Sequence, residues 1–525
     1  MDMQVLTGGD LVAKTLAQEG VEYFIGVLGG QILPLFDAVD REPGLELLVP
    51  RNEAAGAMMA DGYARASGKV AAVISTVGAG AIYSVAGTAN AWGDHVPLFS
   101  ISPQVQTWKM YPAQESLQGC YQADMLAGVT RWNCTAYNWK RIPRLVQRAL
   151  REALSGEKGP VHMDIPVDVF YEYHAVTGKR MRRLMPPPGS SRFSGSYLPE
   201  RESLRDALDI LEGAERPVVV AGLSVLRESA WDALASLAER LSSPVALTPA
   251  ALSAVQAEDP TYIGILEHPA LGNLPETLGQ ADVMLMIGST LAEQEQVMGA
   301  LDPSRTRIIQ TSSEPELLGA LGGVDAALAG DAASISGALR MGITGDSSVR
   351  DGWLKACRKS FEEALESARE DARGEGPGAA VNALGETVRP QDLMVLDGKH
   401  AYYWGSLLCP AGGANTRHQS WGMRGVGYGL PMAMGVKLAR PRERVFALCD
   451  SDALLHHVQE LDTARREGIG VIVCVVGEGF AWKEVAEGFG ISGFEVTGPA
   501  ELMVALEKAE ESGSAVLLDM TRYGS

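Results

Sequence analysis

Ala447–Gly479 reads ALCDSDALLHHVQELDTARREGIGVIVCVVGEG. Val445–Cys449 is a short apolar run that stops at an acidic turn, Asp450-Ser451-Asp452. Val458–Arg466 has helical spacing, Gly468–Gly470 interrupts it, and Val471–Val476 is a continuous β-branched run. Such a run suits a parallel strand buried on both faces. The stretch therefore predicts strand, turn, helix, strand. In units of this kind ligands bind where strand carboxyl ends meet helix N-termini. The turns at Asp450–Asp452 and Gly477–Gly479 are the places to look for a site.

The same unit recurs through the chain. With 525 residues, 46% hydrophobic and 21% charged, the chain is too long for one core and ordinary in composition. Its 59 glycines suit many tight strand–helix turns. In 1–175, strands are expected at Tyr23–Val27, Leu45–Val49, Val70–Thr76 and Leu98–Ser102, alternating with helices and opening onto Gly29-Gly30 and Gly78-Ala79-Gly80. Residues 176–199, with KRMRR, PPPG and a serine-rich run, read as a linker. Residues 200–345 form a second α/β unit without a G-x-G-x-x-G fingerprint after its first strand. Residues 346–378 supply a charged helix and a glycine joint, and 379–525 a third unit laid out like the first. The fold class is α/β, with three doubly wound parallel-sheet domains.

A net charge of −20 argues against nucleic acid or an anionic membrane as partner. The start lacks a signal-peptide pattern and no apolar run is long enough to span a bilayer, so a cytoplasmic protein is expected. The six cysteines are scattered, with no C-x-x-C pair, and are expected to be reduced.

Several stretches, in order, resemble thiamine-diphosphate enzymes of the acetolactate synthase and benzoylformate decarboxylase group. They are GVLGGQILPLFDAV (Gly26–Val39), RNEAAGAMMADGYARASGK (Arg51–Lys69), GAGAIYSVAGTANAWGDHVPLFSIS (Gly78–Ser102), GPVHMDIPVDV (Gly159–Val169) and WGMRGVGYGLPMAMGVKLARP (Trp421–Pro441). The resemblance implies pyrimidine-binding, central and diphosphate-binding domains. It also implies a homodimer or homotetramer with active sites between subunits, and a small-molecule substrate. By it, Glu53 contacts the aminopyrimidine and helps generate the carbon nucleophile, Val426 in Gly425-Val426-Gly427 props the cofactor bent, and Gln118 lies in the substrate pocket. Gly29, Gly30, Gly78 and Gly80 keep backbone close to ring and substrate.

The diphosphate end departs from that pattern. Anchored on Val458-Gln459-Glu460-Leu461, the family's Gly-Asp-Gly falls on Asp450-Ser451-Asp452 and its Asn-Asn on Gly477-Glu478. Ser451 and Glu478 thus stand where Mg²⁺ and diphosphate are held in relatives. Two like charges ~4 Å apart cost on the order of 4 kcal/mol at an effective dielectric near 20. The stretch Gly479–Gly490 is also shorter than the segment that closes over the cofactor in relatives. Asp450, Asp452 and Glu478 could form a rebuilt Mg²⁺ or Ca²⁺ site, or be carboxylates capping helices over a disused one. His456 and His457, adjacent on a helix, point different ways. His400, at a strand end, is a catalytic candidate, and His95 is placed similarly. FAD, held by some relatives on the central domain, would meet Gly288–Glu293, which match the usual segment poorly.

Two readings follow. One is a lyase or transferase-type carboligase that makes or breaks a C–C bond next to the carbonyl of a 2-oxo acid, with atypically or weakly bound thiamine diphosphate. The other is a divergent member that has lost thiamine diphosphate and Mg²⁺, using the cleft for cofactor-independent or flavin chemistry or acting as a non-catalytic partner of a paralogue.

Overall fold

The computed structural model describes residues 3–524 apart from 193–194, 273, 290–301, 303 and 321. Among the described residues are three six-stranded sheets, each wholly parallel, and a two-stranded antiparallel ribbon, Met3–Thr7 with Tyr173–Thr177. Helices cover the sheets. The strands at the sheet centres are mostly apolar: Val283–Ile287, Val445–Asp450 and Ile472–Val476 are buried at every position. That is what a parallel strand covered on both faces demands.

Numbered by sequence, the strands of the first sheet lie in the order 2-1-3-4-6-5, from Glu46–Leu48 at one edge to Trp132–Thr135 at the other. The third sheet repeats that order, from Arg417–His418 to Ser492–Glu495. The central sheet is ordered 3-2-1-4-5-6. First and third domains are therefore two copies of one topology. In each, the order reverses between strands 1 and 3, and the crevice at such a switch point is where ligands enter doubly wound sheets. In the first domain that crevice opens after Tyr23–Gly26 and Ala72–Ile74; in the third, after Leu393–Asp397 and Val445–Asp450.

The two copies dock through a pair of small-residue helices, Glu53–Ser67 and Gly429–Ala439. A Cβ on Gly62 would lie 2.0 Å from the Met432 carbonyl oxygen, and one on Gly435 1.9 Å from that of Met59. Only glycine lets the two backbones cross so closely. A buried ionic cluster pins the contact. Arg65 reaches Asp61 (2.5 Å) and Asp94 (2.8 Å) and donates to the Gln419 carbonyl (2.8 Å), while Asp94 accepts from the backbone N–H of Gly422 (2.7 Å).

The segment expected as a linker is partly ordered as regular structure: Tyr173–Thr177 is a strand and Gly178–Leu184 a helix that takes up KRMRR. Lysine, arginine, methionine and leucine are good helix formers, and the composition signal of the following PPPG masked this. All six cysteines are free, four of them buried. No helix among the described residues is long and apolar enough to cross a membrane.

Candidate active site

The first-domain crevice gathers five of the residues expected there. Glu53 begins its helix behind Asn52, whose side chain caps it by accepting from the Ala54 N–H at 2.8 Å. The Glu53 side chain lies over Gly80, where a Cβ would fall 2.7 Å from its Oε1. A Cβ on Gly29 would fall 2.4 Å from Thr76 Oγ1, and Thr76 also touches Gly80. Gly78, at φ +69°, packs on the Gln118 carbonyl oxygen. The exposed side chain of Gln118 accepts from Gln31 Nε2 at 2.9 Å. Gly30 borders the same crevice but faces open space.

Glu53 is buried, and burial pushes its carboxyl above the ordinary carboxylate range. Among the described residues its carboxylate accepts no hydrogen bond from another residue. A buried carboxyl served only by its own backbone N–H has capacity left for a ligand nitrogen. Sequence reasoning missed Gln122, which is fully buried. Its Oε1 accepts from the Gly78 N–H (2.6 Å) and its Nε2 donates to Asp164 (2.8 Å), which fixes the glycine turn. Its position 44 residues from Gly78 gave no local signal.

The third-domain crevice is arranged differently. Asp450 ends its strand and turns its carboxylate onto the next helix, Lys399–Leu408. It accepts from the backbone N–H of His400 (2.9 Å) and of Ala401 (2.8 Å). These are the free donors of a helix N-terminus, the groups that hold a phosphate in sites of this kind. Gly398, at φ +117°, lets the carboxylate in; a Cβ there would lie 2.4 Å from Asp450 Cγ. No loop separates strand and helix after Asp450, since Ser451–Leu455 is already helical.

Ser451 is also taken. Its buried hydroxyl accepts the indole N–H of Trp482 at 2.8 Å. Trp482 opens the short helix Trp482–Gly488, is fully buried, and is held at its backbone N–H by Asp519 (3.0 Å). The shortened segment after Gly479 thus folds down onto the place expected for the metal-binding aspartate. Asp452 and Glu478 are exposed. Both Asp450 oxygens serve helix N–H groups, and among the described residues no group of three His, Cys, Asp or Glu is placed to hold a metal ion.

Beside Asp450, Asp397 ends the neighbouring strand. Its carboxylate accepts from the N–H of Gly427 (3.0 Å) and Gly429 (2.7 Å) and so anchors the loop that carries Val426. Burial pushes Asp397 up to about 7, and the nearby carboxylates of Asp450 and Asp452 add to this. Val426 is half exposed. His457 Nδ1 lies 2.8 Å from the Gly427 carbonyl oxygen, so it serves that loop, and His456 also packs on Gly427. The His400 ring adjoins Gly477, where a Cβ would lie 3.8 Å from its Cδ2.

The two crevices of one chain stay apart. Gly80 and Glu53 meet at the start of the helix Ala79–Gly93, whereas Gly425 meets Asn90 ten residues further on, at 3.4 Å from its Oδ1. At 1.5 Å per residue that is about 15 Å of helix.

His95 belongs to a third place, a cavity of about 350 Å³ at the carboxyl end of the central sheet, beside Gly288-Ser289 and Thr311-Ser312. It pairs with Glu157 at 3.0 Å; burial and nearby arginines push it down to about 4. The flavin-associated positions Thr290–Glu293 lie outside the described residues.

The residues fit thiamine diphosphate at one end and not at the other. The buried carboxyl of Glu53, which accepts from no other described residue, suits a pyrimidine nitrogen. The strand-end turn does not suit a diphosphate with Mg²⁺, because Asp450 and Trp482 hold the groups that would receive them.

Comparison with known proteins agrees with the fold. Residues 6–125 match the thiamine pyrophosphate enzyme N-terminal TPP binding domain, 204–339 the central domain, and 398–480 the C-terminal TPP binding domain. The acetolactate synthase isozyme 3 large subunit of Escherichia coli K12 is 25% identical, with 100% of this chain and 96% of that protein aligned. The acetolactate synthase large subunit of Lactococcus lactis is 27% identical over 90% of this chain and 80% of its own. That of Haemophilus influenzae is 25% identical over 97% and 92%. With three domain models in order and the matching three-sheet architecture, the chain belongs to the thiamine pyrophosphate enzyme family and is acetolactate synthase-like.

Proposed function

We propose that this chain serves carbon–carbon bond chemistry next to the carbonyl of a 2-oxo acid by supplying the glutamate half of the site. Its own diphosphate half is closed by its own side chains. The observation that carries the reading is the Asp450 carboxylate on the His400 and Ala401 N–H groups, set against a buried Glu53 carboxyl that accepts from no other described residue.

When bound, thiamine diphosphate supplies a carbon nucleophile that adds to such a carbonyl. The chain's part is to hold and move a proton at Glu53. Burial raises the proton affinity of this carboxyl, so Glu53 would hold a proton toward a ring nitrogen placed there. Gly29, Gly78 and Gly80 let the backbone pack closely on Thr76, Gln118 and Glu53, and Gln122 fixes the turn at Gly78.

Equilibrium titration tests the reading. The purified chain alone should show no saturable Mg²⁺-dependent binding of thiamine diphosphate below about 0.1 mM. Binding tighter than that, with turnover of a 2-oxo acid, would mean that the diphosphate half works as it stands.

A further inference from the structure

We propose that the chain carries an anion site, separate from both strand-end crevices, that takes a dianionic phosphate in a cavity where its three domains meet. The cavity has a volume of about 240 Å³, and none of its lining residues is an aspartate or a glutamate. Arg65 and Lys158 reach it from the first domain, Arg227 and Trp231 from the central domain, and Asn415 and Arg440 from the third. Asn415 ties the three together. Its Nδ2 donates to the Arg65 carbonyl at 2.9 Å and its N–H to that of Ser253 at 3.0 Å. Buried Val96 and Leu226 line the cavity along with exposed Arg440, so it runs from the interior to the surface.

Of the four cations there, only Arg65 has carboxylates, those of Asp61 and Asp94. Arg227, Lys158 and Arg440 form no ion pair among the described residues. Each gives one N–H to a backbone carbonyl instead. Arg227 Nε donates to Asp94 at 2.9 Å, Arg440 Nε to Ala66 at 3.2 Å, and Lys158 Nζ to Arg227. The Nη groups of Arg227 and Arg440 are left without an acceptor among the described residues. Gathering such charges in a partly buried place is costly unless an anion joins them. Burial and the neighbouring Arg65 push Arg227 down to about 9. The same field reaches His418, which is buried and held well below the ordinary imidazole range by burial and then by Arg65, Arg227, Arg417 and Arg440.

Two guanidinium forks and one ammonium select the anion. A carboxylate has two oxygens in one plane and occupies one fork. A phosphate presents its oxygens in a tetrahedral array and can meet both forks and the lysine. The phosphate is either the free ion or the end of a small monoester, whose organic part Trp231 would border. Because the lining comes from all three domains, occupancy should stabilise them as one body.

Calorimetry and thermal unfolding test the site, with inorganic phosphate and glycerol 3-phosphate as probes and potassium acetate holding the ionic strength constant. The expected result is one phosphate per chain, half-saturated at or below about 1 mM, with a melting temperature that rises with phosphate. Arg227→Met and Arg440→Met should each weaken binding at least about tenfold. Without phosphate, R227M should melt no lower than wild type, because it removes a cation that has no carboxylate. R369M, on the charged helix Asp351–Asp371, should bind as wild type does. Absence of saturable binding of both probes up to about 10 mM would overturn the inference. So would binding that R227M and R440M both leave intact, or acetate that competes as well as phosphate does. If R227M does not fold, the exposed Arg440 decides by the same tenfold criterion. Glycerol 3-phosphate bound at least about tenfold more tightly than the free ion assigns the site to a monoester, and any smaller preference assigns it to inorganic phosphate; both uphold the site.

Discussion

The carboxylate of Asp450 accepts the backbone N–H of Ala401 at 2.8 Å, so an anion of the chain itself sits on a helix N-terminus at the switch point of the third sheet. A helix start offers free donors and a partial positive charge, and a carboxylate satisfies both. Asp450 thereby does for its own fold what a phosphate does elsewhere, and the two compete for one place.

Removing that carboxylate should cost stability and open the seat. Asp450→Gly should destabilise the chain by about 1–2 kcal/mol, the size of a lost helix cap. Millimolar inorganic pyrophosphate should then raise the melting temperature of the variant more than that of wild type. Thermal unfolding with and without pyrophosphate measures both effects.

Trp482→Phe keeps the ring buried and deletes the indole N–H that Ser451 accepts. A loss of about 1–2 kcal/mol is expected, since one hydrogen bond disappears and the Ser451 hydroxyl is left buried. In Ser451→Ala the same bond is gone, so the two substitutions together should cost less than their sum. Urea unfolding of the three variants checks this.

Asp397 makes stability depend on pH. Its folded-state value lies near 7, above the ordinary 3.8. A carboxyl raised in this way contributes fully below its unfolded value, and that contribution is lost as pH rises through the folded value. Relative to Asp397→Asn, wild type should lose up to about 4 kcal/mol between pH ~4 and pH ~8. Denaturant unfolding of both proteins across that range shows whether the gap closes.

Arg65→Met leaves Asp61 and Asp94 buried without their cation. Breaking a buried ionic cluster by removing one partner costs about 3–5 kcal/mol. Because Asp94 also holds the backbone of Trp421 and Gly422, the contact between first and third domains should loosen with it. Hydrogen exchange at Trp421–Gly422 should rise in the variant.

The sheet positions were legible because their residues leave little choice. Val471–Val476 can only be a strand covered on both faces, and the pattern recurs in all three domains. Glu53, Gly29, Gly78 and Gly80 lie in stretches that resemble the family, and the structure brings Gln118 beside Gly78. At the third-domain turn the sequence showed that glycines had become aspartates but not what the aspartates do. Asp450 finds its donors 50 and 49 residues back in the chain, and Ser451 finds Trp482 31 residues ahead. Such partners depend on how strand ends meet across the sheet. No spacing rule announces them. The short segment after Gly479 delivers Trp482, whose indole N–H donates to Ser451.

The most direct measurement is a calorimetric titration of the unaltered protein with thiamine diphosphate in excess Mg²⁺, beside the same titration of the D450G/S451D/D452G/G477N/E478N form with Glu53 intact. Wild type should show no saturable binding below about 0.1 mM, and the opened form should bind at least about tenfold more tightly. Wild-type binding at micromolar cofactor, unchanged when the turn is opened, would contradict a diphosphate site closed by Asp450 and Trp482.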